Sequence, residues 1–323
     1  MIDNLQESVW HRLGLLLERL PHALLLHGAK GVGKLALAER FSQLLICEKR
    51  KPSSQPCGTC EACRWFLGGN HPDIRFLEPE SLARTASPAE DGEEPAAKAG
   101  KPSSQIKIEQ ARSLRDFVNV VSHRGGYRVV IVHPAEDMNA ATANSLLKIL
   151  EEPPPGAVFL LVSHRPARLL PTIRSRCVSV PVPVPDPKAA GAWLAKQGVR
   201  EPARWLAFAG GAPRRALDYA TGERGEAFER VLRALATGNR SALVEVRDRD
   251  ELEPLAEVLQ KMALDRAFGA LSGRTRFGGA VVPGDARAWL AYARAMGRHR
   301  RLTSHPLNPR LFAAEMVSGM PRG

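Results

Sequence analysis

Long apolar runs are missing. No window approaches about 18 uninterrupted apolar residues, the length a membrane-crossing helix needs. The N-terminus, MIDNLQESVWHRLG, has neither the basic start nor the apolar stretch of a secretory signal, so a cytoplasmic chain with no membrane partner is expected. Acidic residues are in deficit, 34 against 46 Lys and Arg, for a formal net charge of +12. That excess permits contact with nucleic acid or other polyanions without choosing among them. Cysteine is scarce: five in 323 residues, an odd count without a secretory signal, which favours metal ligation or a free thiol over a disulfide framework. The composition is not that of a disordered chain, since 44% hydrophobic and 25% charged residues are globular averages. At this length one hydrophobic core is rarely enough, and two or three domains are expected.

The first half alternates short apolar runs with helical periodicity. Ala23 to Leu26, Ile74 to Leu77, Tyr127 to Val132 and Val158 to Val162 have the length and β-branched content of buried strands. Between them, Lys34 to Leu45, Ile108 to Val121 and Ala143 to Leu150 carry apolar residues at helical spacing. The alternation predicts an α/β fold, a mostly parallel sheet with helices on both faces. Residues 81–105, rich in Ser, Ala, Pro, Gly and Glu, read as a flexible insertion in that domain. The run Val178 to Val184 ends in PDP, a strand end followed by a linker. Beyond it the pattern is helical, with glycines at expected helix ends and Asn308 with Pro309 at the start of a final helix.

The first apolar run is followed by His27-Gly28-Ala29-Lys30-Gly31-Val32-Gly33-Lys34-Leu35. This fits G-x-x-x-x-G-K between a predicted strand and a predicted helix. In such a loop the glycines Gly28, Gly31 and Gly33 let backbone N–H groups turn toward a phosphate, the helix N-terminus adds positive potential, and Lys34 reaches the β/γ-phosphates. One part is missing: the Ser or Thr after the lysine, whose hydroxyl holds Mg²⁺, is Leu35. A second loss lies at the strand Val129 to Val132. The two following positions should be acidic, for Mg²⁺ and for the attacking water, and are His133 and Pro134; Glu136 and Asp137 come later. Two readings of the loop stay open: a turn kept for structure, which we favour, or one that still binds nucleotide. Hydrolysis by this chain is not expected.

Cys47, Cys57, Cys60 and Cys63 form C-x9-C-x2-C-x2-C. The C-x2-C spacing brings two thiolates from one turn to one metal, and four cysteines leave no open position, so a structural Zn²⁺ site is expected. Cys177 is distant and is assigned to packing.

Three further segments carry a family likeness. Asn144 to Pro154, NSLLKILEEPP, resembles the NALLKTLEEPP helix of AAA+ clamp-loader subunits of bacterial DNA polymerase III. Ser175-Arg176-Cys177 matches their SRC motif, and His71 to Glu80 with the helix from Ile108 to Ser122 look like that family as well. The likeness is specific over residues 20–180 and weaker in the last third. It implies a P-loop AAA+ domain over residues 1–166 with the zinc module at 47–63 and the insertion at 81–105. A transition and small helical lid would follow over 167–220, then a helical C-terminal collar over 221–323. The resemblance further implies that Arg176 is an arginine finger acting in trans on a neighbour's ATP, while ATP binding by this chain itself is not expected. Partners would be the gamma/tau ATPase subunits and delta, the sliding clamp indirectly, and primed DNA within the complex. Arg214 lies where active relatives carry a sensor-2 arginine, and Ser163 or His164 near sensor 1. Two other readings compete: an active AAA+ ATPase with an unusual Mg²⁺ geometry, and a zinc-containing DNA-binding protein.

Overall fold

Five short segments assemble into one parallel sheet, the central ones apolar on both faces and the two edge strands partly exposed. In the computed structural model, residues 4–50, 55–82, 102–120, 122, 126–277, 281, 284–303 and 305–321 are described. The strands are β1 (Ala23–His27), β2 (Ile74–Leu77), β3 (Arg128–Val132), β4 (Ala157–Ser163) and β5 (Val178–Pro181), in spatial order β2-β3-β4-β1-β5. Every pairing is parallel; Leu24 of β1 lies between Leu160 and Val178. All five residues of β3 and all seven of β4 are buried, as expected of central strands covered on both faces. The covering helices are α1 (Glu7–Leu15), α2 (Lys34–Ile46), α3 (Glu61–Leu67), α4 (Ile108–Asn119), α5 (Ala140–Glu151) and α6 (Pro171–Ser175).

Most sequence expectations hold here to within a few residues. α4 stops at Asn119, short of Val121, because Val120 turns to an extended conformation and is left exposed; Val121 lies outside the described residues. Most of the expected flexible insertion, residues 83–101, also lies outside them. Its two feet are pinned: Ser81 N–H donates to Ser103 O (3.1 Å) and Ser103 N–H to Glu80 Oε2 (3.0 Å).

The chain divides into two compact units, Met1–Val184 and Pro185–Gly323. The first unit thus runs past the expected boundary at 166, because α6 and β5 complete its sheet. The second unit is helical: α7 (Pro187–Lys196), α8 (Pro202–Phe208), α9 (Pro213–Thr221), α10 (Glu223–Thr237), α11 (Leu252–Ser272), α12 (Ala286–Leu302) and α13 (Pro309–Ser318). Asp186 caps α7 through Lys188 and Ala189 N–H, and Asn308 caps α13 through Arg310 and Leu311 N–H, each with proline in the first turn. Of the glycines expected to close the early helices, Gly198 and Gly210 adopt positive φ; Gly222 does not, because it also begins α10.

Glu257 of α11 is 2% exposed and carries a charge. It accepts from the Tyr219 hydroxyl (2.7 Å), Arg215 Nη2 (2.6 Å) and Arg224 Nε (3.0 Å), with Lys261 Nζ at 3.3 Å. Burial alone would raise its carboxyl. The Tyr219 hydrogen bond and the charges of Lys261, Arg215 and Arg300 outweigh that and bring it to about 2. The folded value lies below the ordinary 4.5, so the network stabilises above about pH 4.5 and its contribution is lost as pH falls toward 2. Glu257→Gln should cost about 3 kcal/mol at pH 7, because four cations lose their shared counter-charge. Thermal unfolding at pH 7 and pH 3 checks this: the gap between wild type and variant should shrink at the lower pH, and an equal gap at both would contradict it.

Candidate functional site

The glycine loop takes its shape from backbone that only glycine tolerates. Gly28, Gly31 and Gly33 all have positive φ, and α2 starts at Lys34. At Gly28 the fit is tight: a Cβ there would lie 2.2 Å from the backbone oxygen of Val182. Gly28→Ala should therefore cost about 3 kcal/mol in thermal unfolding; an unchanged melting temperature would mean the loop yields freely. From outside, Gln6 Nε2 donates to Val32 O (3.0 Å) and Pro183 O (2.9 Å), clasping the loop to the segment after β5.

Lys34 is 2% exposed and bends onto its own loop, its Nζ donating to Gly28 O (2.8 Å) and Ala29 O (2.6 Å). Burial pulls its ammonium down to about 8, opposed by Glu136 and assisted by Lys30. Leu35 follows it half-buried in the first turn of α2 and offers no oxygen. Across the sheet, β3 leads to His133 and Pro134 and then to a single turn, Ala135–Asp137. The Glu136 carboxylate accepts the His164 N–H through both oxygens (2.9 and 3.2 Å), bracing the ends of β3 and β4 together. Sequence reasoning missed that brace; only the adjacency of β3 and β4 reveals it. Burial raises the Asp137 carboxyl, with Glu136 adding to the effect.

Of the two residues expected near sensor 1, Ser163 is buried and its hydroxyl accepts the Arg165 N–H (3.2 Å). The His164 ring packs edge-on against His133, centroids 5.5 Å apart. Burial, then the charges of Lys34 and His133, lower its pKa to about 3, so it is neutral at pH 7. Arg214, on α9 in the second unit, lies 5.9 Å from the Trp193 ring centroid.

Arg176 follows α6. Ile173 of that helix is fully buried, and Cys177 packs against the sheet core with its thiol raised by burial to about 11, in keeping with a packing role. Held between these anchors, the Arg176 side chain is 34% exposed, with Nη1 donating to Thr172 O (3.0 Å) and Nη2 to Glu151 Oε1 (2.6 Å). The register sets its direction. Val178 pairs beside Leu24 and Pro181 beside His27, so Arg176 precedes the starting edge of the sheet while the glycine loop leaves the opposite edge. Four residues of strand, about 13 Å, separate the two edges.

The four cysteines converge as expected, their sulfurs all within 4.8 Å of one another. Cys57 and Cys63 Sγ lie 3.9 Å apart, near the roughly 3.8 Å that a tetrahedral thiolate site with bonds of about 2.3 Å requires. Backbone N–H groups of Thr59 (3.5 Å) and Cys60 (3.3 Å) point at Cys57 Sγ, that of Cys63 at Cys60 Sγ (3.4 Å), and that of Cys57 at Cys47 Sγ (3.4 Å). Those donors lower the Cys57 thiol to about 6, while burial raises Cys47 and Cys63. Gly58, at φ +70°, makes the knuckle. The cluster could hold a metal ion.

The chain is similar to known proteins. A family model described as "DNA polymerase III, delta subunit" matches residues 6–186. DNA polymerase III subunit delta′ of Pseudomonas aeruginosa is 42% identical over 212 residues, 64% of this chain and 58% of that protein. The Escherichia coli subunit delta′ is 32% identical over 218 residues, 67% of this chain and 59% of that protein. Subunit tau of the same organism is 33% identical over 165 residues, 51% of this chain and 22% of tau. The chain thus spans somewhat over half the length of the two delta′ proteins. With its glycine loop, parallel sheet and SRC turn inside the matched region, the chain belongs to the DNA polymerase III delta-subunit family.

Proposed function

We propose that the chain is a non-hydrolysing delta′-type subunit of a DNA polymerase III clamp loader, supplying Arg176 in trans to the ATP site of a neighbouring gamma/tau ATPase subunit. With delta, that assembly loads the sliding clamp onto primed DNA. Residues 185–220 act as the lid, residues 221–323 form the oligomerising collar, and Cys47, Cys57, Cys60 and Cys63 hold a structural Zn²⁺. The observation that carries the reading is the placement of Arg176 at the edge of the sheet opposite its own glycine loop. A guanidinium there cannot serve Lys34's loop and is available to a nucleotide on another chain. On the other side, Leu35 in place of a hydroxyl and Glu136 committed to the His164 N–H leave this chain without the usual Mg²⁺ ligands, and Lys34, the phosphate-contacting residue of such a loop, is bonded to its own loop carbonyls.

Two measurements test it together. Mixing the chain with gamma/tau and delta should yield a stable complex by size-exclusion chromatography. The isolated chain should bind no MgATP in calorimetry and turn none over. Turnover by the isolated chain would favour an active ATPase instead, and absence of any complex would remove the clamp-loader reading.

A further inference from the structure

We infer that Glu151 is a positioning residue for Arg176, holding the guanidinium in the orientation it needs before a neighbour's nucleotide arrives; the inference rests on the proposed trans role of Arg176. The contact is specific. Arg176 Nη2 lies 2.6 Å from Glu151 Oε1, and Nη1 donates to Thr172 O at 3.0 Å, so two anchors from different elements fix the plane of the fork. An unanchored arginine carries large rotamer entropy, and ordering it at the moment of reaction would subtract from its effect on the transition state. Two of its N–H groups are committed to the chain's own acceptors, and three of the five that a guanidinium presents remain for an incoming phosphate.

A second observation points the same way. Glu151 is the last residue of α5, where the helix macrodipole disfavours a carboxylate and favours a cation. Arg176 offsets that cost. The pairing takes place on a rigid base: Leu150, beside Glu151, is buried in the sheet core, as is Ile173, three residues before Arg176. β4 begins a few residues after Glu151 and β5 two residues after Arg176, so both side chains belong to the starting edge of the sheet, away from the glycine loop. As a half-exposed ion pair the contact adds little to folding. Its effect should appear in turnover.

The test is a double-mutant cycle in the complex reconstituted from gamma/tau, delta and this chain, read as DNA- and clamp-stimulated ATPase. Glu151→Ala should lower stimulated kcat about tenfold, with the KM for ATP within about twofold and complex formation unchanged by size-exclusion chromatography. Glu151→Gln, which keeps an acceptor oxygen, should recover part of that loss. In an Arg176→Ala background, Glu151→Ala should add nothing further, because its effect passes through the arginine. A Glu151→Ala loss that persists in full without Arg176 would assign Glu151 a separate structural role and overturn the inference, as would full activity of Glu151→Ala beside an intact arginine. Full activity of Arg176→Ala alone is a different result: it removes the finger reading, and the inference falls with it.

Discussion

Arg176→Ala should abolish most DNA- and clamp-stimulated ATP turnover of the reconstituted complex, by roughly 10³-fold, the lower end of the range for arginine fingers. The size follows from charge. A guanidinium facing a transferring γ-phosphoryl neutralises charge that grows in the transition state. Complex formation should be untouched, since Arg176 is a third exposed and its two contacts are to an exposed carboxylate and a carbonyl of its own helix. Arg176→Lys should rescue little: a lysine keeps the charge and loses the planar fork. Steady-state ATPase with saturating primed DNA and clamp is the measurement, and stimulated turnover within twofold of wild type would contradict the role.

Loss of the proposed zinc should have the largest structural effect. Structural zinc contributes about 10–16 kcal/mol in small zinc-binding peptides, and the segment from Cys47 to Cys63 has little apolar content to replace it. Cys63→Ser, or a strong chelator, should leave the sheet folded and release residues 55–67. Metal analysis after dialysis should give about one zinc per wild-type chain and almost none in the variant, with new protease cleavage confined to the module. The sheet should survive because one of its faces packs on α4, α5 and α6, none of which carries one of the four cysteines. A dialysed wild type without metal would remove the zinc site; global unfolding of Cys63→Ser would show that the module supports the whole first unit.

What could be read from the sequence follows the range of the interactions involved. β1, β3 and β4 announced themselves as apolar runs, since strands buried on both faces need no partner to be recognised; β2, at the edge with Arg75 exposed, was read from Ile74, Phe76 and Leu77. The glycine loop and the cysteine cluster are local in the chain, and their spacing carried their geometry. β5 was harder: Pro181 removes a donor, three of its four residues are exposed, and it becomes a sheet strand only through pairing with β1. That is why the division of the chain lies after Val184 rather than at residue 166, although the proline-rich end of that segment already marked a linker. Contacts across long separations were not legible. Glu136 to His164 spans 28 residues, Glu151 to Arg176 spans 25, and Tyr219 to Glu257 spans 38; each depends on how elements pack. Arg176 itself was visible through its motif, but its orientation required the sheet register.

The basic charge permits contact with nucleic acid without requiring it. Arg215, Arg224, Lys261 and Arg300 gather around Glu253 and Glu257, four cations on two carboxylates. Lys34 is likewise turned onto its own backbone. Under the proposed function, Arg176 is the basic residue that would act on a neighbour's nucleotide.

Under the proposed function this chain serves another subunit's nucleotide rather than its own. Stimulated ATPase of complexes carrying Lys34→Met or Arg176→Ala, measured side by side, tests that division most directly. Turnover should stay near wild type with Lys34→Met and collapse with Arg176→Ala. Collapse with Lys34→Met and full turnover with Arg176→Ala would contradict it.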